Sequence, residues 1–167
     1  MQKKLPETVD FLKQVERNAC FEGVWPVSRF ERLAEAICDT RGDVTVRLKF
    51  GIRAGTQCLD GHVQAELVLR CERCLEAVTR TIESDFRFGL VSSEDEAELL
   101  PKEFEPLLVS GTEVSLVELV EDELLLSLPI VAKHEDACSA LLQKHKKDEG
   151  VQHDTYKPFA ALKDLMG

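Results

Sequence analysis

Four side chains in this sequence are of the types that bind a soft metal ion. Cys71 and Cys74 form a Cys-x-x-Cys pair, and His134 and Cys138 follow much later in the chain at a spacing of four. Three thiolates and one imidazole make a closed tetrahedral set suited to structural zinc, and on a helix His134 and Cys138 would share one face. The pattern predicts a possible structural zinc site. The alternative is two reduced thiols near a half-buried Cys138.

The cysteine pair lies between two predicted strands. Apolar and polar residues alternate with a period of two on both sides of it, which predicts strands near 62–71 and 75–91 joined as a hairpin with the cysteines at or beside its tip. Such a turn can hold a metal or form a strained disulfide. Thioredoxin-like redox pairs instead open a helix, so the flanking strands disfavour that chemistry.

A third strand precedes this hairpin. Residues 44–54 alternate without interruption between apolar and polar types, and Gly61 is interpreted as a bulge or a second turn before the next strand. Three consecutive antiparallel strands form a meander, which needs helices or more strands over its apolar face. Closure of this sheet into a barrel is left open by the sequence.

Two helices are predicted to cover the sheet. The segments 27–38 and 115–128 carry apolar residues at helical spacing, and each begins with a capping box, formed by Ser28 with Glu31 and by Ser115 with Glu118. The predicted fold is therefore α+β: an antiparallel meander or partly closed barrel covered by two or three helices. We expect one domain over residues 1–138, then a less ordered tail over 139–167 made of a linker and a short helix.

The negative charge of the chain is concentrated in one segment. The net charge is −10, and residues 92–138 alone carry 13 acidic and two basic side chains. Such a segment repels a nucleic-acid backbone and attracts a basic partner. Within the second helix the acidic side chains are those of Glu118, Glu121, Asp122 and Glu123. We predict that these four carboxylates bind the partner, the alternative being a solvated helix face.

A second candidate surface is basic. The polar positions of the predicted strands and turn carry six cationic side chains, which would form the outer face of the sheet and contact RNA phosphates in an RNA-binding protein. They belong to Arg47, Lys49, Arg53, Arg70, Arg73 and Arg80. The alternative is a solvated face balanced by neighbouring glutamates.

Signatures of enzymes and of membrane insertion are missing from the sequence. There is no glycine-rich phosphate loop, Gly-x-Ser-x-Gly elbow or His-Glu-x-x-His helix, and His62 is expected to be solvated in a turn. No apolar run is long enough to span a bilayer, and the N-terminus does not resemble a signal peptide. We therefore expect a cytoplasmic, non-enzymatic protein with no membrane or small-molecule ligand, and with Cys20, Cys38 and Cys58 as reduced, buried or half-buried side chains.

Four motifs together resemble the bacterial YceD family. They are CERC at 71–74, VEDELLLSLPIV at 120–131, HEDAC at 134–138 and KPFAALKDL at 157–165. The resemblance implies a role in the accumulation of large-subunit ribosomal RNA, and hence in ribosome biogenesis. Two hypotheses follow: an assembly factor whose acidic segment binds a basic ribosomal or assembly protein, or a ribosomal RNA-binding protein that uses the basic face. The bulk charge favours the first.

Overall fold

The computed structural model describes residues 5–109, 113–136 and 138. The elements in chain order are β1 (Thr8–Asp10), α1 (Phe11–Glu16), β2 (Cys20–Pro26), a 3-10 turn (Val27–Arg29), α2 (Glu31–Ala36), β3 (Asp43–Arg53), β4 (Thr56–Arg70), β5 (Ala77–Val91), α3 (Glu94–Glu98), β6 (Glu105–Leu108), β7 (Glu113–Ser115) and α4 (Leu116–Leu126). All of these elements belong to one compact unit that extends to Lys133. The predicted linker and C-terminal helix at 139–167 lie outside the described residues.

Five strands form one sheet in the order β2-β3-β4-β5-β6. The first four are antiparallel neighbours, and β6 joins β5 in parallel after the crossover through α3. Strands β2 and β6 do not pair with each other in the described chain, so this sheet is open rather than a barrel. A separate antiparallel pair joins β1 to β7. The predicted α+β class and the three-strand meander are confirmed.

The core lies against one side of this sheet, which we call the inner face. Val44, Val46, Leu48 and Phe50 of β3 are fully buried there, as the period-two pattern of this strand predicted. The ring of Phe11 in α1 packs edge-on against Phe50 with centroids 4.8 Å apart. The opposite, outer face carries the polar residues of the same strands.

Strand β4 is longer than predicted. It begins at Thr56 and runs without a turn through Gly61, which pairs with Leu48 on one side and Phe86 on the other. A Cβ atom at Gly61 would lie 2.0 Å from the Phe86 ring, so the glycine makes room for that ring. The interpretation of Gly61 as a bulge or turn was therefore wrong, and His62 lies within a strand rather than in a turn.

The two predicted capping boxes have different outcomes. Ser115 caps α4, because its hydroxyl accepts a hydrogen bond from the Glu118 amide at 3.2 Å. The predicted helix at 27–38 is instead a 3-10 turn followed by α2, whose N-cap residue Phe30 offers no side-chain hydrogen bond. The Ser28 capping box was therefore wrong, and a carboxylate from α4 takes this role instead.

Candidate metal centre and acidic groove

The cysteine pair lies in the tight connection between β4 and β5. The amide of Cys71 donates to the Glu76 carbonyl, and the amide of Leu75 donates to the Cys71 carbonyl, each at 2.8 Å. Leu75 has a φ of 66°, a left-handed conformation that lets the chain reverse within this short connection. Cys71 is completely buried and Cys74 is half-buried, so the turn directs at least one thiol inward.

The chain that follows α4 runs beside this turn. The Glu72 amide donates to the Ala132 carbonyl at 2.8 Å, and the Arg80 guanidinium donates to the Lys133 carbonyl. Ala132 is itself buried. These hydrogen bonds place Ala132 against the cysteine connection and Lys133 beside β5, although the two segments are far apart in sequence.

The two cysteines can supply half of a tetrahedral zinc site. Cys71 and Cys74 lie in the same short connection, and zinc–sulfur bonds of 2.3 Å in a tetrahedron place two sulfurs about 3.8 Å apart. His134 and Cys138 belong to a second compact unit, which begins at His134. That all four side chains meet at one metal ion stays a prediction. Residues 134–136 are irregular rather than helical, so no helix there places His134 on one face with Cys138.

Glu121 has a structural role that the sequence did not reveal. Its side chain is buried, and its Oε1 accepts hydrogen bonds from the amides of Arg32 at 2.7 Å and Leu33 at 3.1 Å, while Oε2 accepts one from the Arg32 guanidinium at 2.9 Å. The carboxylate thus caps the N-terminus of α2 from the neighbouring helix. This long-range contact replaces the local cap that the sequence predicted at Ser28.

Glu123 also faces the interior of the protein. It is 7% exposed, and its Oε2 accepts a hydrogen bond from the Ser84 hydroxyl at 3.3 Å on the inner face of β5. Burial, with smaller contributions from the nearby charges of Glu105 and Asp122, raises the pKa of the Glu123 carboxyl. Two of the four carboxylates predicted to bind a partner, those of Glu121 and Glu123, are therefore buried.

The exposed acids of α4 border a groove of about 610 Å³, which we call the acidic groove. Its lining contains five carboxylates and two guanidinium groups: Glu7, Thr8, Arg29, Glu31, Arg32, Ser115, Val117, Glu118, Glu121 and Asp122. Arg29 pairs with Glu7, and Arg32 pairs with Asp122 at 2.6 Å as well as with Glu121. Within the described residues Glu31 and Glu118 are exposed and have no ion pair. The groove thus keeps a negative charge that its own arginines do not neutralise.

The six basic residues do not lie on one face. Arg47 and Arg53 are on the outer side of β3 and pair with Glu22 at 2.9 Å and Asp60 at 3.2 Å. Arg80 stands opposite the fully buried Leu67, on the inner side of β5. Placing it on the outer face was therefore wrong. The other three, Lys49, Arg70 and Arg73, lie on β3, at the end of β4 and in the cysteine connection.

The three cysteines outside the metal-ligand set and before it in the chain, Cys20, Cys38 and Cys58, differ in exposure. Cys58 is buried, and this burial raises the pKa of its thiol, which keeps it protonated and unreactive. Cys20 and Cys38 are exposed, so the expectation that both are at least half-buried was wrong. Cys20 lies on edge strand β2 at a position of the outer face, opposite Lys49.

Comparison with known proteins identifies the family. The model of the family "Large ribosomal RNA subunit accumulation protein YceD" matches residues 59–166. A protein of that name from Haemophilus influenzae is 37% identical over 137 residues, which cover 80% of this chain and 79% of the relative. The chain belongs to the YceD family. No solved structure matches it, and none of the helices in the described residues is long and apolar enough to cross a membrane.

Proposed function

We propose that this chain is a non-enzymatic, cytoplasmic ribosome biogenesis factor that supports the accumulation of large-subunit ribosomal RNA. The observation that carries the proposal is its membership in the YceD family, whose name states this role. Deletion of the gene should lower the ratio of large-subunit to small-subunit ribosomal RNA, and the intact chain should restore it. An unchanged ratio in the deletion strain would contradict the proposal.

The proposed mode of action is binding of a basic ribosomal or assembly protein in the acidic groove. Glu31 and Glu118 lack an ion pair among the described residues, and Asp122 is more than half exposed beside Arg32. A lysine or arginine of the partner would find uncompensated carboxylates there, held on a helix whose position Glu121 fixes. Glu118 and Asp122 are the two predicted binding residues that remain accessible, so the proposal now rests on them.

A charge-reversal experiment tests this surface. The pair Glu118→Lys with Asp122→Lys should reduce capture of the partner from lysate, and raising the salt concentration should do the same to the parent protein, because exposed charges are screened within about 8 Å at physiological ionic strength. The matched control is Glu94→Lys with Glu98→Lys, which changes the net charge equally on the exposed side of α3. Equal losses in both variants would indicate an effect of bulk charge and not of the groove.

The same experiment separates protein binding from RNA binding. Reversal of Arg47 and Lys49 to glutamate should leave partner capture unchanged, and nuclease treatment should not abolish it. If binding instead depends on Arg47 and Lys49 and disappears with nuclease, the alternative of direct ribosomal RNA binding through the basic residues is correct.

We also infer that the cysteine cluster holds a structural zinc ion. The donor types of Cys71, Cys74, His134 and Cys138, three sulfurs and one imidazole, together with the burial of Cys71, support zinc over the hard cations, which prefer oxygen. Zinc bound there would connect the β4–β5 connection to residues that follow α4. No step of catalysis is assigned to it, since all four positions of a tetrahedral ion would be filled by the protein.

Metal analysis tests the zinc proposal directly. Purified protein should contain one equivalent of zinc, with X-ray absorption showing sulfur ligands at about 2.3 Å. Cys74→Ser should lose the metal, whereas Cys38→Ser, which changes an exposed thiol outside the cluster, should retain it. Absence of zinc from the parent protein after purification and after reconstitution would contradict the proposal.

A further inference from the structure

The outer face of the five-stranded sheet carries charged side chains in rows that cross the strands. Strand register places Arg47, His62 and Asp85 side by side on β3, β4 and β5, and it places Lys49, Asp60 and Arg87 side by side in the next row. Neighbours directly across an antiparallel pair have Cβ atoms about 5 Å apart, so each row is a set of interacting groups. The two rows differ in how their charges are balanced.

The row through Asp60 is neutralised by arginine. Asp60 accepts hydrogen bonds from both Arg53 and Arg87, and Arg87 lies 3.6 Å from a Glu103 carboxylate oxygen. Every carboxylate of this group therefore has a cationic partner. The arrangement is a surface ion-pair network of the common kind, with no need for a further ligand.

The row through His62 is not neutralised in this way. Arg47 pairs with Glu22 on the edge strand. Asp85 and its neighbour Glu83 have no lysine or arginine within 4 Å among the residues that the structure describes, and both instead converge on one imidazole. The Asp85 Oδ1 atom lies 2.8 Å from His62 Nδ1, and the Glu83 Oε1 atom lies 3.9 Å from His62 Nε2.

We propose that His62, Glu83 and Asp85 form a second metal site, which binds a divalent ion of the Zn²⁺ type on the outer face of the sheet. One ligand atom from each residue lies within 4.8 Å of the other two, and a metal bound at about 2.1 Å needs ligand atoms about 3.4 Å apart. The carboxylates are exposed and free to move by that difference. The imidazole selects Zn²⁺, Ni²⁺ or Co²⁺ over Mg²⁺ and Ca²⁺, which prefer oxygen ligands.

This site differs from the cysteine cluster in its chemistry. It offers three protein ligands on an open surface, so water would complete the coordination and the ion would exchange readily, whereas four protein ligands close the cysteine set. The strands hold His62 and Asp85 in register, and the His62 side chain is only 26% exposed. The imidazole is thus fixed while the two carboxylates adapt to the ion.

A protonated His62 without a metal is the alternative, because an imidazolium would also neutralise two carboxylates. The two cases respond differently to added metal. A metal ion at this site binds a ring nitrogen that carries no proton, so added Zn²⁺ should shift the ring signals of His62. An imidazolium held only by ion pairs should show no such shift.

Calorimetric titration of the full chain tests the proposal. The protein is first saturated with Zn²⁺ and desalted, so that any tight site is filled, and is then titrated with Zn²⁺ at pH 7.5. We expect one further equivalent with a dissociation constant on the order of 10 µM. His62→Gln and Asp85→Asn should each weaken this binding by at least about tenfold. All three ligands are on the surface, so these variants should fold.

Two matched variants test whether the binding is specific to these three side chains. Glu66→Gln removes an exposed carboxylate from the same face of β4, and His153→Gln removes a histidine elsewhere in the chain; both should retain the second equivalent. Loss of binding only in His153→Gln, or no second equivalent in the parent protein, would overturn the proposal. The first equivalent reports on the cysteine cluster alone, so the two metal proposals succeed or fail separately.

Discussion

The two faces of the five-stranded sheet use the same strands in different ways. On the inner face, Gly61 makes room for the Phe86 ring and Ser84 donates a hydrogen bond to Glu123, so each residue is matched to one neighbour. On the outer face, side chains such as Arg47 pair with exposed partners across the strands. Loss of a partner leaves a buried polar group without a hydrogen bond, which costs free energy of folding. An exposed group that loses its partner binds water instead, at little cost. The inner face should therefore determine stability, and the outer face should contribute little to it.

The largest effect is expected at Gly61. In Gly61→Ala the new Cβ would lie 2.0 Å from the Phe86 ring, so the ring or the strand must shift, at a cost of about 3 kcal/mol in the free energy of unfolding. Gly51→Ala is the control, because its Cβ would point to the outer face and meet only Asn18 Oδ1 at 3.5 Å. Urea unfolding measures both, and equal losses would mean that the two faces do not differ in packing.

The next largest effect is expected at Glu121. Glu121→Ala leaves the Arg32 and Leu33 amides at the start of α2 without an acceptor, which should cost about 2 kcal/mol in the free energy of unfolding. Asp122→Ala removes the adjacent, exposed carboxylate and should change stability little. If the two variants unfold at the same urea concentration, Glu121 is not a cap.

The contrast between these adjacent acids shows what could be predicted from the sequence. The alternation in residues 44–54 identified β3 and its buried side, and the Ser115 capping box identified the start of α4, because both are local patterns. Glu121 makes its contacts with residues 88 and 89 positions away. No local pattern distinguishes such a carboxylate from a solvated one, so the sequence indicated a binding residue where the fold has a structural one.

The metal-ligand candidates divide in the same manner. The Cys-x-x-Cys spacing indicated Cys71 and Cys74, and residue type together with a spacing of four suggested that His134 and Cys138 could complete the set. His62, Glu83 and Asp85 were missed because His62 was assigned to a turn beside Gly61, although the strands predicted near 62–71 and 75–91 contain all three positions. Extending both strands outward from the Arg70–Ala77 pair places His62 opposite Asp85. The pairing of β4 with β5 could therefore have been predicted from the sequence if β4 had been continued through Gly61.

A smaller effect that depends on pH is expected at Glu123. Burial raises its pKa above the ordinary value of 4.5, so the unfolded chain loses this proton at a lower pH than the folded protein does. The stability that the protonated form contributes is therefore present below about pH 4.5 and is lost as the pH rises through the folded pKa.

Glu123→Gln removes this ionisation and keeps an acceptor for the Ser84 hydroxyl. The variant should match the parent protein near pH 4 and be more stable at pH 7, as measured by urea unfolding across this range. Glu118→Gln, which changes an exposed carboxylate on the same helix, should show no such divergence. If the parent protein instead gains stability relative to Glu123→Gln as the pH rises, the pKa of Glu123 is lowered and not raised by folding.

The smallest effect is expected on the outer face, at the ion pair between Arg47 and Glu22. Both side chains are more than half exposed, so water and salt replace the pair at little cost when one partner is removed. Although the pair raises the pKa of Arg47, Arg47→Ala should unfold at the same urea concentration as the parent protein within error. It should also leave Zn²⁺ binding at His62 intact, since Arg47 supplies no ligand atom. A clear loss of stability in Arg47→Ala, comparable with that of Glu121→Ala, would show that the charged rows support the fold, and the distinction between an inner face that determines stability and an outer face that contributes little would then fail.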